Sequence, residues 1–572
     1  MRRFLDRINR GRWTGAGLIA VLAAVLCLPA GAQAQPSPDR DRAPNRPTTP
    51  GEATGAPPAW TVPDTFDATI YVEPDHPRAS DRNIGTAEMP LKSLQGGVFA
   101  AVQNKRDGYS TRVVIAPGTY RERLNMETYT NWQENQPDNE AVMLFEAREP
   151  GTVILSGSDE WADGWTLDPH ANAWVHDWPY VWGVSPNPWQ GYRELAEISR
   201  RREMIFLDGQ PLQQVLSKRD LVAGTFFVDE QAERLMVLPP EKKNFESAKK
   251  EVGVREKLIW IEYEHNVAFR GLVFEHAVTR WADAWAAVRV SGGQRVRFED
   301  CEFRHNNGLA LYLGESMDMQ LDGVRSYHNG WDGWGTWKVK GFRAEDTQTS
   351  FNNWRGGLGE FHGWAVGNKI ESTHDITIRR HRSFGNQSRG LWFDLDVRNV
   401  ILDEVMVKHN YGDGIWFEAS PGPVTVMNST ICRNEENGFF TTYSEGLTLT
   451  GNTFYENKRA QVALGGEGTR YSPNYLSGGG KELSVQDFTL RGNVLAGGKA
   501  LVDAQAKLGS EEWAEISYSF TSEDNKFYHA KGPNQFRVTD SLLGQLSFSE
   551  WQTRTGDTGS TFASVMITDP CQ

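Results

Sequence analysis

The chain has 572 residues with 74 Asp and Glu against 60 Lys and Arg, so its formal net charge is −14. Hydrophobic residues make up 39% of the chain, which is enough for a large core and excludes wholesale disorder. The acidic balance argues against a nucleic-acid partner, because phosphate binding needs a basic surface. With 56 Gly and 21 Trp, the composition predicts many tight turns and aromatic rings suited to ligand stacking.

Residues 1–34 have the three parts of a secretory signal peptide. Five arginines precede an apolar run from Ala16 to Ala30, and Ala32-Gln33-Ala34 is a small-x-small cleavage sequence. The apolar run is too short for a comfortable membrane span, so we expect no stable membrane anchor. Cleavage would leave a mature chain with a net charge near −18, and the sequence predicts a secreted or periplasmic protein.

The cysteines do not predict a disulfide framework. Without the signal peptide, Cys301, Cys432 and Cys571 remain, and they are far apart and odd in number. We expect Cys301 and Cys432 to be small core residues. The spacing also lacks a zinc motif, and the leading interpretation below requires no metal or other cofactor.

The composition and hydrophobic pattern of the chain change several times and predict five segments after the signal peptide. These are a flexible leader (35–62), N-terminal β-helix coils and cap with an amphipathic helix near 92–104 (63–157), a Trp-rich inserted antiparallel β module (158–255), a main β-helix (256–510) and a C-terminal cap (511–572). A cap is expected because the end of a repetitive core needs a polar cover.

From about residue 257 the chain repeats with a period in the low twenties. Turn asparagines recur at steps of 24, 24 and 23 residues, namely Asn386, Asn410, Asn434 and Asn457, and Asn307, Asn329 and Asn353 continue the series upstream. A longer step of 33 residues indicates about ten inserted residues near Glu360–Lys369. Short strands with this period predict an all-β parallel β-helix, in which the asparagines stack as a ladder.

Two consecutive rungs of this repeat carry acidic side chains. The first reads GLWFDLD from Gly390, and the second reads GIWFEAS from Gly414. Side chains alternate along a strand, so Trp392, Asp394 and Asp396 are predicted to point outward, as are Trp416 and Glu418. Asp394 and Glu418 are 24 residues apart, which is one coil, and neighbouring strands lie about 4.8 Å apart.

Two carboxylates separated by about 5 Å match the arrangement of a retaining glycosidase, in which one is the nucleophile and the other the acid/base. An inverting enzyme needs a wider gap. Mutual repulsion and the flanking tryptophans are expected to raise the pKa of one carboxyl, as an acid/base residue requires. Asp396 could replace Asp394 as nucleophile or orient a sugar hydroxyl.

Aromatic and charged residues around this pair predict a carbohydrate-binding surface. The inserted residues supply Glu360, His362, Trp364 and Lys369, and the preceding coils supply Trp334 together with Trp331, Trp337 and Trp354. Together with Trp392 and Trp416, these residues would form an aromatic surface beside the carboxylates on which sugar rings can stack. The predicted partner is therefore a polysaccharide or oligosaccharide.

These motifs resemble those of a known group of enzymes. The N-terminal motifs and the two acidic rungs resemble those of secreted right-handed parallel β-helix proteins of polysaccharide metabolism. The motifs are Gly85-Thr86, Pro90 to Gln95 and Pro117 to Tyr120, and the rungs begin at Gly390 and Gly414. The Asp-then-Glu pair is similar to that of glycoside hydrolase family 120, the β-xylosidases, and the related family 141 is a second resemblance. The first implies Asp394 as nucleophile, Glu418 as acid/base, a xylan-type substrate and a β-sandwich inserted at residues 158–255.

Two other functions remain open at this point. A polysaccharide lyase acting on a uronate glycan would use Lys369 as base, with Arg355, Arg389 or Arg398, and Asp394, Asp396 and Glu418 would become Ca²⁺ ligands. Its unsaturated product absorbs in the ultraviolet, whereas a hydrolase product does not. A non-catalytic glycan-binding β-helix would turn over no glycan at all.

Overall fold

The computed structural model describes residues 53–571 except 128–139, 188–190, 192, 282–284, 362–366, 467, 506–510 and 539–543. In this part of the chain, three long sheets of 13 strands run side by side along one axis, and successive coils add one strand to each sheet. The predicted fold class, an all-β right-handed parallel β-helix with an inserted antiparallel module, is confirmed.

The three sheets are named A, B and C here. Sheet A consists of Ala68–Val72, Thr111–Ile115, Met143–Ala147, His265–Arg270, Gln294–Glu299, Met317–Asp322, Lys340–Glu345, His374–Arg379, Arg398–Asp403, Val424–Met427, Glu445–Thr450, Gln486–Arg491 and Thr521–Glu523. Sheet B consists of Gly118–Tyr120, Val153–Ser156, Leu272–Glu275, Glu302–Arg304, Arg325–Tyr327, Gln348–Ser350, Arg382–Phe384, Met406–Lys408, Thr430–Cys432, Thr453–Tyr455, Val494–Ala496, Lys526–Tyr528 and Thr561–Ala563.

Sheet C carries the acidic rungs. It consists of Leu124–Glu127, Ile259–Glu262, Ala286–Ser291, Leu309–Gly314, Trp334–Trp337, Asn368–Glu371, Leu391–Asp394, Ile415–Glu418, Phe439–Thr442, Ala460–Gly465, Ala500–Gln505, Phe536–Val538 and Gln545–Leu546. Inward side chains of the three sheets form one continuous apolar core along the axis.

The inserted module consists of two small sheets that pack around a core of its own. Their strands are Ser158–Glu160, Ile205–Leu207, Gln210–Pro211 and Lys250–Gly253 in one sheet, and Thr166–Asp168, Ala173–Asp177, Gln213–Val215, Thr225–Asp229 and Arg234–Leu238 in the other. Trp178, Phe226 and Leu235 are buried between them. A single turn of 3₁₀-helix spans Lys218–Asp220, and a short helix spans Glu197–Arg200.

Helices cover both ends of the apolar core. Leu94–Arg106 begins after the N-cap Ser93, close to the predicted span, and buries Leu94, Val98 and Ala101 against the first coils. At the other end lie Glu511–Ser519 and Phe548–Thr555, and the second of these buries Trp551. The described helices include none with the length and apolar content needed to cross a membrane.

The predicted asparagine ladder exists, but its upstream members are shifted by one residue. Asn386 Nδ2 donates to Asn410 Oδ1 at 2.9 Å, and Asn410 Nδ2 donates to Asn434 Oδ1 at 3.0 Å. Upstream, the ladder continues through Asn352, Asn329 and Asn306, so the prediction of Asn353 and Asn307 is wrong. Both sequence positions carry an Asn-Asn pair, and the first of each pair faces the ladder.

Part of the predicted leader is bound to the outer face of sheet A. The backbone nitrogen of Thr54 donates to Asn399 Oδ1 at 2.6 Å, and at the other end of the segment Arg297 Nη1 donates to the Trp60 carbonyl at 3.1 Å. The flexible leader was expected to extend to residue 62, whereas residues 54–60 cross several coils in contact with the sheet.

One disulfide joins the C-terminal tail to sheet B. Cys432 is bonded to Cys571, which lies 139 residues further along the chain. Cys432 is buried, as expected, but the expectation that the cysteines form no disulfide is wrong; Cys301 is buried and free. The long separation and the odd number of cysteines concealed the pairing. Lys408 Nζ also donates to the Cys571 carbonyl at 3.0 Å, which holds the tail on the same sheet.

Candidate active site

Asp394 and Glu418 lie directly opposite each other on neighbouring strands of sheet C. The register pairs Asp394 with Glu418 and Trp392 with Trp416. The intervening Phe393 and Phe417 point into the core and stack with ring centres 4.2 Å apart. Because the strands are parallel and in register, the Cα atoms of the two residues are separated by one strand spacing, about 4.8 Å.

A buried lysine holds one oxygen of Asp394. Lys369, on the preceding rung, places its Nζ 3.0 Å from Asp394 Oδ2 and 3.4 Å from Glu371 Oε2. Burial lowers the pKa of Lys369, but the charges of Asp394 and Glu371 outweigh this effect, and the pKa is raised overall. Asp394 Oδ1 is buried and has no hydrogen-bond partner among the described residues.

Glu418 has the properties of a proton donor near neutral pH. Its side chain is 14% exposed and forms an ion pair with Arg470. Burial and the neighbouring charge of Asp394 raise the pKa of Glu418 to about 7, although Arg470 and Lys369 act in the opposite direction. The two paired carboxyls therefore have different electrostatic surroundings, as an acid/base and a nucleophile require.

A hairpin that was not predicted from the sequence brings Arg470 to this site. It pairs Arg470–Pro473 with Gly480–Leu483 and is inserted between a strand of sheet C and a strand of sheet A. Ser472 Oγ donates to the Ala419 carbonyl at 2.8 Å, which fixes the hairpin beside the acidic rung. Asn452 and Asn493 are consecutive members of a second asparagine ladder but are 41 residues apart. This step, longer than one coil, is the signal in the sequence that a segment is inserted between them.

Asp396 holds this hairpin and has no free acceptor for a substrate. The strand ends at Asp394, and Leu395 and Asp396 have φ angles of 50° and 56°, so the predicted alternation stops there. Asp396 is fully buried, with His374 Nε2 2.9 Å from Oδ2 and Arg398 2.7 Å from Oδ1. The backbone nitrogen of Tyr475 also donates to Oδ2 at 3.2 Å. This geometry argues against Asp396 as nucleophile or sugar ligand.

Trp392 and Trp416 form a column of rings beside the carboxyls. Their ring centres are 4.7 Å apart and nearly parallel, and Phe440 continues the column 5.6 Å from Trp416. Trp392 is buried, whereas Trp416 is half-buried and donates its Nε1 hydrogen to Thr442 Oγ1 at 3.1 Å. Of the two predicted stacking residues, Trp416 therefore offers the more accessible ring.

Trp334 does not belong to the site, which corrects the prediction. It pairs with Asn368 in sheet C, is fully buried and packs in the main core against Phe342. Leu391 and Ile415, which each follow a turn glycine, point into the core, and Trp334 likewise follows Gly333 and lies in the same row. Trp337, three residues later, faces outward and pairs in register with Glu371.

The insertion begins before the predicted segment and ends sooner. It includes the helix Trp354–Leu358, which packs against Glu197–Arg200 of the inserted module. Glu360 is exposed beyond this helix, while His362 and Trp364 lie outside the described residues. Lys369 belongs to the regular strand Asn368–Glu371 rather than to the insertion.

The residues required by the calcium-dependent lyase interpretation do not fit that role. Within the described ranges, no group of three or more His, Cys, Asp or Glu side chains is arranged to hold a metal ion. Each expected calcium ligand is paired with a cationic side chain, Asp394 with Lys369, Asp396 with Arg398 and Glu418 with Arg470.

The arginines of that interpretation are also committed elsewhere. Arg355 is fully buried and donates to Gln214 Oε1 at 2.7 Å and to the Glu203 carbonyl at 2.7 Å, so it links the β-helix to the inserted module. Arg389 forms an ion pair of 3.3 Å with Asp413 and lies over the Trp416 ring. None of these contacts directs a guanidinium at a substrate carboxylate.

Comparison with known proteins identifies the class of fold. The family described as the right-handed beta helix region matches residues 259–454 and, in an overlapping match, residues 360–495. No curated protein sequence matches the chain at a significant level. Together with the three long sheets, the family match makes the chain a right-handed parallel β-helix protein.

Two solved structures illustrate this likeness. The structure of XylC in complex with xylose is similar at a TM-score of 0.64 and 13% identity, over 88% of this chain and 86% of that chain. A structure described as a glycoside hydrolase is similar at a TM-score of 0.50 and 13% identity, over 70% of this chain and 94% of that chain. At these identities the comparison shows the fold, and in this respect the predicted resemblance is confirmed.

Proposed function

We propose that this protein is a retaining glycoside hydrolase acting on a polysaccharide or oligosaccharide, with Asp394 as nucleophile and Glu418 as acid/base. The observation that carries the proposal is the in-register pairing of these two residues on adjacent rungs of sheet C. A backbone separation of one strand spacing, about 4.8 Å, allows the two carboxyls the separation of about 5 Å found in retaining enzymes. The likeness of fold to XylC, solved with xylose, supports a xylan-type or related glycan.

In the first step, Asp394 Oδ1 attacks the anomeric carbon while Glu418 gives its proton to the departing glycosidic oxygen. Lys369 binds Oδ2 and fixes the carboxylate, while Oδ1 has no hydrogen-bond partner among the described residues and is left for the reaction. Glu418, now a carboxylate, keeps Arg470 as counter-ion. In the second step, Glu418 takes a proton from water, and the water oxygen attacks the anomeric carbon of the glycosyl-enzyme. The bond to Asp394 breaks, and the sugar leaves with its original anomeric configuration.

The lyase alternative receives less support from the same geometry. Lys369 lies between two carboxylates that raise its pKa, so it is a poor base. A glycan-binding protein without activity would need no buried pair of carboxyls, and burial of such a pair costs stability. Both observations favour the hydrolase.

We also propose that the protein is exported and works in an oxidising compartment. The signal peptide predicted at residues 1–34 supports this location, and so does the Cys432–Cys571 disulfide. Disulfides persist in secreted and periplasmic proteins and are rare in the reducing cytosol.

The stereochemistry of the first product tests the mechanism. We expect the purified mature protein to release nitrophenol from at least one aryl glycoside, and proton NMR to show that the first sugar formed keeps the anomeric configuration of the substrate. Xylan and other plant and algal polysaccharides should give reducing ends without a gain in ultraviolet absorbance. An inverted first product, or ultraviolet absorbance that grows with the reducing ends, would contradict the proposal.

The activity is expected to fall as the pH rises through about 7. Glu418 must carry its proton in the first step, and its pKa is raised to about 7 by burial and by Asp394. The protonated form therefore disappears above that pH, and kcat/KM should decrease tenfold per pH unit on the alkaline side. A profile of kcat/KM between pH 4 and 10 measures this, and a flat alkaline limb would rule out Glu418 as the acid.

A further inference from the structure

A lysine with a mostly buried side chain lies beside the candidate active site, and its one ion pair among the described residues is long. Lys338 has a side chain that is only 16% exposed, and the nearest carboxylate oxygen, on Glu315, is 3.9 Å from its Nζ. Within the described part of the chain, Lys338 Nζ makes no hydrogen bond; instead it lies 4.0 Å from the Trp337 ring centre and 5.2 Å from that of Tyr475. Glu315 is at this distance a weak counter-charge, so the ammonium can still accept a closer anion.

Tyr475 links this lysine to the carboxylate pair. The pKa of the Tyr475 phenol is raised by burial and by the charges of Glu371 and Asp394, so its hydroxyl stays protonated and can donate a hydrogen bond. The backbone of the same residue is bound to Asp396, which fixes the hairpin over the acidic rungs.

The position of Lys338 defines which part of a substrate it would meet. Trp337, Glu371, Asp394 and Glu418 follow one another in register on four successive strands. Lys338 comes directly after Trp337, so it lies on the side of Asp394 opposite Glu418. Glu418 protonates the leaving group, so this opposite side receives the sugar that is transferred to Asp394. Two strand spacings, about 9.6 Å, separate the strands of Trp337 and Asp394, a span that fits a pyranose bearing a carboxylate on C5.

We propose that the transferred sugar is a uronic acid whose C5 carboxylate is bound by Lys338 and the hydroxyl of Tyr475. This inference rests on the proposed hydrolase function and narrows its substrate from a xylan-type or related glycan to one that presents a uronic acid to the site. An ammonium and a phenol are complementary to a carboxylate. The corresponding neutral sugars carry CH₂OH or only hydrogen on C5 and would leave Lys338 with Glu315 as its anionic partner.

Aryl glycosides that differ only at C5 test the proposal. We would measure kcat/KM for nitrophenyl β-D-xyloside, β-D-glucoside and β-D-glucuronide, and for the matching galacto-configured series. In one series the uronide should exceed its neutral relatives by about 10- to 100-fold, the range expected for a charge-assisted hydrogen bond. Lys338→Gln should abolish this advantage. Lys340→Gln, which changes an exposed lysine on sheet A, should retain it.

The outcomes separate this inference from the hydrolase proposal. Hydrolysis of a neutral glycoside at a rate equal to or above that of its uronide, or a uronide preference that survives Lys338→Gln, would overturn the inference alone. If no aryl glycoside is hydrolysed, the hydrolase proposal fails, and calorimetric titration with glucuronate and galacturonate against glucose and galactose decides the inference. Tighter binding of a uronate that is lost in Lys338→Gln supports it, and equal or no binding overturns it.

Discussion

Glu418→Gln is expected to lower kcat/KM on a glycoside with a poor leaving group by about 10³-fold, because general acid catalysis typically contributes 10²- to 10⁴-fold. The glutamine keeps the shape of the side chain and removes the proton donor. An activated leaving group such as dinitrophenolate needs no proton, so its release should be much less affected. Steady-state kinetics on the two classes of aryl glycoside measure this difference.

Added azide distinguishes the roles of the two carboxyls. In Glu418→Gln the glycosyl–Asp394 intermediate should form from an activated substrate and react with azide, giving a glycosyl azide of retained configuration. Asp394→Asn should be inactive by more than 10³-fold on both classes of substrate, because the nucleophile itself is lost. Glu435→Gln, a change at an exposed carboxylate paired with Lys458, should behave like the wild type. Equal effects on both leaving groups would remove Glu418 from the acid role.

Lys369→Met is expected to destabilise the protein at neutral pH and to abolish activity. The methionine fills the space but leaves Asp394 and Glu371 without the ammonium that lies 3.0 and 3.4 Å from them. Removal of one partner from a buried ion pair typically costs about 3–5 kcal/mol in the free energy of unfolding. Urea denaturation at pH 7 measures the loss.

The pH dependence of this loss identifies its electrostatic origin. Protonation of carboxylates removes the negative charge that the variant leaves uncompensated, so the difference from the wild type should shrink as the pH falls. Lys458→Met, which removes the cation of an exposed pair, should leave the denaturation midpoint unchanged. A loss of stability in Lys369→Met that is the same at pH 4 and pH 7 would indicate a packing defect instead.

The sequence predicts the carboxylate pair because two simple periodicities coincide there. The coil length of 24 residues places Asp394 beside Glu418, and the alternation of strand residues places both on one face. Trp334 was misplaced because the inserted residues hide the coil register upstream. The rule that the residue after a turn glycine points inward, read from Leu391 and Ile415, would have assigned Trp334 to the core.

Contacts made by non-repeating segments could not be predicted in this way. Arg470 is 52 residues from Glu418 and reaches it through a hairpin that has no counterpart among the described residues of the other coils. Asp396 looks like a third outward acid until the left-handed backbone at Leu395 ends the strand. The Cys432–Cys571 bond likewise depends on the path of the tail, which follows sheet B without adding to the period.

The regular coils of the β-helix also fix the spacing between reactive side chains. Side chains on one outer row of sheet C can be separated only by whole multiples of the strand spacing, because each coil advances the chain by one rung. A duplicated coil between the strands of Asp394 and Glu418 would therefore move the Cα atoms of the two residues from about 4.8 Å to about 9.6 Å apart, a backbone separation suited to the wider carboxyl spacing of inverting enzymes. In such an architecture, the number of coils between the two residues determines the stereochemical outcome. A change from retention to inversion would come from the gain or loss of a repeat, because substitutions in loops would leave the spacing unchanged.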